Sequence, residues 1–390
     1  MNSYLLIKNA NIISEDGEEI KGSILIEDGI IKTIYQGQNH PNSLSDTASL
    51  IDAANLKAIP GFIDGHIHGA NGADTMDATE EALDKMAALL PKEGTTSFLT
   101  TTITQSTENI EKALTNIANY TNKDAHAEII GVHLEGPFVE KSKAGAQPLQ
   151  YIVEPDLDQF MRWQEVSGNS IRTITMAPEH DKDGVFIKSL SDHGVNVSAG
   201  HTNAGFAGIE RAVEQGVKQL THLCNAMNGI HHRDIGAVGA AFQLEQLKAE
   251  LIADGVHVAP QMLQLIYHNM GSERIILITD AMRAKGLPDG DYELGGQPVK
   301  VSNGRAVLEE GTLAGSILKM DDGARRMLRL DGVTIKDVVK MASVNPAKQI
   351  GVYDRKGSIS EGKDADILLV DDDLNIRYTI CRGVISYRSE

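Results

Sequence analysis

Eight short runs rich in apolar and β-branched residues recur through the middle of this chain, and helix-patterned segments separate most of them. They are residues 58–64, then TTSFLTT, EIIGVHLE, RTITMAP, NVSAGH, QLTHL, KAELIAD and RIILITD. Between them the apolar spacing changes to a helical period. Leu83, Met86, Ala87 and Leu90 form one stripe, with Asp77 as the expected N-cap and Glu80 three residues on; Ile110, Leu114 and Ile117 form another behind Ser106. Repeated strand-then-helix units call for a parallel sheet. Eight of them point to a closed (β/α)₈ TIM-type barrel, although periodicity alone leaves an open doubly wound sheet available.

The ends of the runs favour closure. His66 and His68, Glu135, His201, His222, Asp254 and Asp280 all stand at the C-terminal ends of apolar runs. In a barrel those ends converge on one face, where the loops build an active site. An open sheet would spread them along a line too long for one centre.

Outside this middle the pattern changes. YLLIKNANII and SILIEDGIIKTIY near the start, and ADILLVDDDLNIRYTICRGVISY near the end, read as short strands with turns between them. The expected organisation is a small β-sandwich domain formed from both chain ends, residues 1–56 and 353–390, flanking a barrel over 57–352. The polar stretch 37–47 reads as a loop. With 390 residues and 41% hydrophobic content the chain can bury a sizeable core. No run approaches the length of a membrane helix, and the N-terminus lacks the basic-then-apolar signal pattern, so a cytoplasmic location is expected. A net charge of −18 argues against nonspecific nucleic-acid binding. It leaves room for an anionic small substrate in one locally basic pocket. The two cysteines, Cys224 and Cys381, make neither a zinc-finger spacing nor a disulfide framework.

The strand-end residues carry the chemistry. In FIDGHIHG, His66 and His68 are two apart, so on a strand they face the same side. Gly65 and Gly69 beside them would allow close backbone approach. An HxH pair alone is weak, and so is each of Glu135 in HLEGPF, His201 in SAGHT and His222 in THLCNAM. Together they propose a metal centre of imidazole nitrogens and a carboxylate, a donor set suited to zinc or iron rather than to calcium or magnesium. A divalent ion acidifies bound water and polarises a carbonyl. Hydrolysis then needs a group to move protons, and Asp280 in LITDAM is suited to that.

The order HxH, HLEGPF, GHT, THLxNAM, DGxH, TDA and LAGS resembles the N-acetylglucosamine-6-phosphate deacetylase family of the amidohydrolase superfamily. The likeness spans nearly the whole chain, from PGFIDGHIHG to SVNPAKQIG and KGSISEGKDADILLVD. HLEGPF and THLCNAMNG are its most specific parts. Related families carry a carboxylated lysine as a bridging ligand; no matching lysine is present, and Glu135 takes that position.

The resemblance implies that Glu135, His201 and His222 hold the main catalytic ion, that His66 and His68 complete a second metal position, and that Asp280 moves the proton. One or two zinc or iron ions per subunit are therefore expected. It further implies a sugar-phosphate site: His257, with Arg233 reaching in from the neighbouring subunit of a homodimer, would hold the phosphate. Ala146, Gln147, Asn225, Ala226, Leu313, Ala314 and Gly315 would line the sugar. Many relatives have a histidine where this chain has Gln147, which can hydrogen-bond but cannot transfer protons. The expected reaction is deacetylation of N-acetylglucosamine 6-phosphate in amino-sugar catabolism. The alternatives are another N-acyl substrate, such as an N-acetylgalactosamine phosphate or an N-acyl amino acid, and a non-catalytic scaffold. Retention of all five ligands and of Asp280 speaks against the scaffold.

Overall fold

The computed structural model describes residues 3–13, 18–37 and 49–389. Most of the polar stretch expected as a loop, from residue 38, lies outside the described residues. Eight parallel strands form the central sheet: β1 (Phe62–Ile67), β2 (Thr95–Thr102), β3 (Glu128–Glu135), β4 (Ile171–Met176), β5 (Asn196–Ala199), β6 (Gln219–Leu220), β7 (Lys248–Ile252) and β8 (Ile275–Ile278). They pair in sequence order from β1 to β8. The ring closes just beyond the strand ends, where Ile67 bridges Ala281 and the Asp280 amide donates to the His66 carbonyl at 2.8 Å.

A helix follows each strand: α1 (Glu80–Leu89), α2 (Thr107–Asn119), α3 (Leu157–Val166), α4 (Val185–Asp192), α5 (Phe206–Gln215), α6 (Gly236–Gln243), α7 (Pro260–Met270) and α8 (Met320–Leu328). The apolar stripes read from the sequence face inward, since Leu83, Met86, Ala87, Ile110, Leu114 and Ile117 are all buried. Ser106 caps α2 as expected, accepting from the Asn109 amide. Asp77 does not cap α1. It closes the preceding 3-10 turn Thr75–Asp77, Ala78 then turns left-handed at φ 52°, and Thr79 takes the cap by accepting from Ala82. Two capping signals lie two residues apart here, and the left-handed break between them assigns one to each turn.

Both chain ends contribute to one eight-stranded sheet. Its order runs Val384–Arg388, Ile376–Cys381, Ile367–Val370, Lys57–Pro60, Tyr4–Ile13, Glu19–Glu27 and Ile30–Gln36, with Ser49–Asp52 also paired to Tyr4–Ile13. The run expected as one barrel strand over 58–64 is thereby divided. Lys57–Pro60 pairs with Tyr4–Ile13 and Ile367–Val370 in the small sheet, and the barrel starts at Phe62. An unbroken apolar run cannot show which of two sheets receives its hydrogen bonds. The small sheet has its own apolar core, including Ile7, Ile12, Ile24, Ile26, Ile367 and Ile380.

One element went unforeseen. Between β8 and α8 the chain forms a three-stranded antiparallel sheet, Gly290–Leu294, Gln297–Ser302 and Arg305–Val307. It packs on Ile103, Met282 and Ala284, and Gln297 donates to the Ala146 carbonyl at 2.6 Å. The insertion thereby stands beside the C-terminal mouth of the barrel.

Candidate metal centre and substrate cleft

His66 sits on β1 and His68 just past it, while Glu135 is the last residue of β3. His201, His222 and Asp280 follow β5, β6 and β8 by two residues each. These last three have left-handed backbones, with φ of 46°, 30° and 48°. Non-glycine residues rarely adopt that conformation, which costs on the order of 1–3 kcal/mol and collects at functional sites. Here it accompanies the turn of each chain segment over the barrel mouth. Gly69 is needed for close approach, because a Cβ there would lie 2.4 Å from the Ala73 carbonyl oxygen. Gly65 is not: its Cβ would meet open space.

The side chains converge. Nε2 of His201 and Nε2 of His222 are each 3.2 Å from Glu135 Oε1 and 3.1 Å from one another. Nε2 of His68 lies 3.3 Å from both Glu135 Oε2 and Asp280 Oδ1. Nε2 of His66 lies 3.4 Å from Glu135 Oε1 and 3.5 Å from Asp280 Oδ1. Glu135 thus faces His201, His222 and His66 with Oε1 and His68 with Oε2, so it touches both histidine pairs.

These residues fit a divalent ion. Ligands about 2.0–2.1 Å from a tetrahedral centre stand about 3.3 Å apart, close to the edges of the Glu135, His201 and His222 triangle. Two imidazole nitrogens approaching at 3.1 Å beside a carboxylate are poorly served by protons alone. His66 Nε2 is buried and without a hydrogen-bond partner. His66, His68 and Asp280 make a second cluster of metal-binding type.

The electrostatics agree. Burial pushes the Glu135 carboxyl up, but His66 and hydrogen bonds from His201, His222 and His68 hold it well below the usual range. Burial likewise opposes ionisation of Asp280, and His66 and His68 outweigh it, so this carboxyl is also held down. Burial lowers His66, yet Asp280, Glu135 and Glu250 together push it up to about 9. A buried, cation-seeking set of carboxylates is what a metal centre requires.

A cleft of about 320 Å³ opens over this centre. His68, Glu135, His201, His222 and Asp280 form its floor, and Ala146, Gln147, Asn225, Ala226, His257, Leu313 and Gly315 line it. His257 is oriented by Asp254, whose Oδ2 lies 2.6 Å from Nδ1 and whose Oδ1 accepts from the amides of Val256 and His257. Asp254, read as a strand-end residue of the centre, therefore acts behind His257 and does not line the cleft. Gln147 is buried against the metal centre: it donates to Glu135 Oε2 at 2.6 Å and accepts from the Thr104 amide.

One expected lining residue lies elsewhere. The Ala314 side chain packs with Met282, Leu294 and Val299 in the core of the inserted sheet, because its amide is tied to Ala306. Arg233 stands on an exposed loop outside this chain's cleft, with Nη1 2.6 Å from His232 Nε2. Unforeseen lining comes from Ile103, Lys143, Leu294 and Thr312, the last two brought in by the inserted sheet and the segment after it. The other omission is Glu250 on β7, an acid inside the apolar run KAELIA and 1% exposed. That charge within a buried strand was the available signal.

The amidohydrolase family model matches residues 58–385. The N-acetylglucosamine-6-phosphate deacetylase of Bacillus subtilis (strain 168) is 45% identical over 395 residues, covering 100% of this chain and 99% of that one. The chain belongs to the N-acetylglucosamine-6-phosphate deacetylases of the amidohydrolase family. Among solved members, the Thermotoga maritima deacetylase is 34% identical with a TM-score of 0.87, covering 98% of this chain and 100% of that one. A mutant of the Mycobacterium smegmatis deacetylase, solved in complex with N-acetyl-D-glucosamine-6-phosphate, is 28% identical with a TM-score of 0.88, over 98% of this chain and 99% of that one.

Proposed function

We propose that this protein hydrolyses N-acetyl-D-glucosamine 6-phosphate to D-glucosamine 6-phosphate and acetate. The observation that carries the reading is one cleft that joins the Glu135, His201 and His222 triangle to an ionised Asp280, in a chain with full-length likeness to such deacetylases. A zinc or iron ion held there would acidify the attacking water and polarise the acetamide carbonyl. Glu135, His201 and His222 are the assigned ligands of one ion, and His66 and His68, with Asp280 and Glu135, of a second. The Asp280 carboxylate accepts a proton from the water as its oxygen bonds to the carbonyl carbon. It returns that proton to the nitrogen as the C–N bond breaks, so the amine leaves neutral.

The cleft supplies recognition. Asp254 fixes His257 with its Nε2 edge available to the phosphate, and Lys143 brings a cation to the cleft wall. Arg233 completes the phosphate site of a second copy of the chain in a homodimer, a role its exposed loop supports. Asn225, Ala226, Leu313 and Gly315 bound the sugar. Gln147 serves Glu135 in place of contacting the sugar as a relative's histidine would. Among the described residues no helix is long and apolar enough to cross a membrane, and we assign the protein to the cytoplasm.

The test is acetate release from N-acetylglucosamine 6-phosphate, its unphosphorylated form and the 6-phosphate of its C4 epimer, with metal content measured on the same sample. Fastest release from the first, with stoichiometric metal, is expected. Equal rates with and without the phosphate would overturn the substrate assignment.

A further inference from the structure

Four histidines face the proposed centre, but their outer nitrogens are treated differently. The Nδ1 atoms of His68 and His222 are buried without hydrogen-bond partners among the described residues, and that of His201 meets the Lys143 carbonyl. Among the described residues, His66 alone is backed by a carboxylate: its Nδ1 lies 3.0 Å from Glu250 Oε2. Glu250 in turn accepts from Gln219 Nε2 at 2.7 Å on its other oxygen, and from the His222 amide at 3.3 Å. Its backbone carbonyl takes the Leu223 amide.

The chain of donors continues away from the cleft. Asn196 Nδ2 donates to Gln219 Oε1 at 3.0 Å, and Gln349 Nε2 donates to Asn196 Oδ1 at 2.7 Å. Asn196 begins β5 and Gln349 ends the helical run after the last strand, so the row passes along the barrel interior from its N-terminal end to the metal centre. Each amide points its NH₂ toward the cleft. The row ends on a group that must accept from both sides, and a carboxylate is the side chain that only accepts.

Glu250, His66 and His133 also form a cluster of ligand-capable groups. A metal there is excluded by His133, whose Nδ1 is engaged by the Gly65 carbonyl at 3.1 Å and whose Nε2 is engaged by Thr175 Oγ1 at 2.7 Å. Glu250 therefore faces one available imidazole and acts on it.

We propose that Glu250 is the positioning residue of the His66/His68 metal position: it holds the proton on His66 Nδ1, so that Nε2 presents its lone pair to the ion, and the Gln219–Asn196–Gln349 row holds Glu250. This rests on the metal-centre reading above. It explains why a charge is buried inside β7, where a carboxylate without partners would be costly. It also distinguishes the two metal positions, because among the described residues His201 and His222 have no such carboxylate behind them.

The experiment titrates Zn²⁺ into chelator-stripped full-length protein by calorimetry, with ions per chain counted after dialysis. Wild type, Glu250→Gln, Gln219→Leu and His68→Ala are compared, the last as the one-ion reference. Wild type is expected to bind two ions. Glu250→Gln keeps the volume but sets a donor against His66 or Gln219, and should weaken one ion by about 10–100-fold, as loss of an outer-shell partner does. It should leave the other ion at its His68→Ala affinity. Gln219→Leu, which spares Glu250 itself and so covers a misfolded Glu250→Gln, should weaken the same ion by a smaller factor. A merely structural role would lower thermal stability and both affinities together. Two ions of wild-type affinity in Glu250→Gln, or an equal loss at both positions, would overturn this proposal alone; wild type that binds no Zn²⁺ would overturn the metal reading and this proposal with it.

Discussion

Two clusters of charge lie at opposite ends of the barrel, and they are built to different rules. At the N-terminal end, where the small sheet meets β3, Glu128, Asp364 and Asp366 face Arg355, Lys356 and Arg382. Lys356 Nζ reaches all three carboxylates, at 2.7, 2.9 and 2.5 Å, and Arg355 grips Glu128 with two nitrogens. At the C-terminal end, among the described residues, the ion-pair partners of Glu135, Asp280 and Glu250 are all histidines. The first cluster carries its own cations and joins distant chain segments. The second leaves its negative charge to be met from outside and uses left-handed residues to hold it. Conserving charge within the protein serves stability; leaving it for a bound ion, at a local conformational cost, serves chemistry.

The sharpest way to break this contrast is Asp280→Asn. Turnover should fall by about a thousandfold or more while unfolding temperature and the ion assigned to Glu135, His201 and His222 hold, because the lost group is assigned to move a proton and carries no fold-wide contact. Steady-state kinetics with elemental analysis check it, and near-normal turnover would sink the assigned role. Lys356→Met should do the reverse. It leaves three carboxylates around a side chain that is almost fully buried, so urea unfolding should show a loss of about 3–5 kcal/mol. Turnover per folded molecule should be unchanged; a fall in turnover without a fall in stability would break the comparison. Arg233→Ala tests the surface that belongs to neither cluster. The KM for the phosphorylated sugar should rise about tenfold or more, with the unphosphorylated sugar and the unfolding temperature unaffected.

The smallest effect expected is in acid. Burial opposes ionisation of Glu128, but Arg355 and Lys356 outweigh it and bring its carboxyl down to about 2. Its unfolded value is about 4.3. A lowered folded value means stability that is present above the unfolded value and lost as pH falls from there toward 2. Replacing Glu128 with Gln should flatten that part of the stability curve relative to wild type, as read by denaturant unfolding from pH 5 downward.

Some of this was legible in the chain. Polar residues recur at successive strand ends, so Glu135, His201, His222 and Asp280 stood out as a set before any contact was known. The eight strands and the Ser106 cap were legible from local pattern, but the α1 cap was not, since Thr79 takes it in place of Asp77. Glu250 was not, because its meaning depends on His66, 184 residues away, and on Gln219. Neither was the split of 57–67 between two sheets, nor the sheet at 290–307 that walls the cleft. Ala314 could not be turned away from the cleft until its amide partner, Ala306, was known.

The sequence by itself determined the number of strand–helix units, the candidate metal-binding side chains and the family to which their order belongs. These follow from local periodicity and from residue chemistry, which need no partner to be read. Only the tertiary structure decided that Glu135 touches both histidine pairs and that Glu250 stands behind His66. Each of those is a relation between segments far apart in the chain, fixed by barrel closure and by the hydrogen bonds that closure allows.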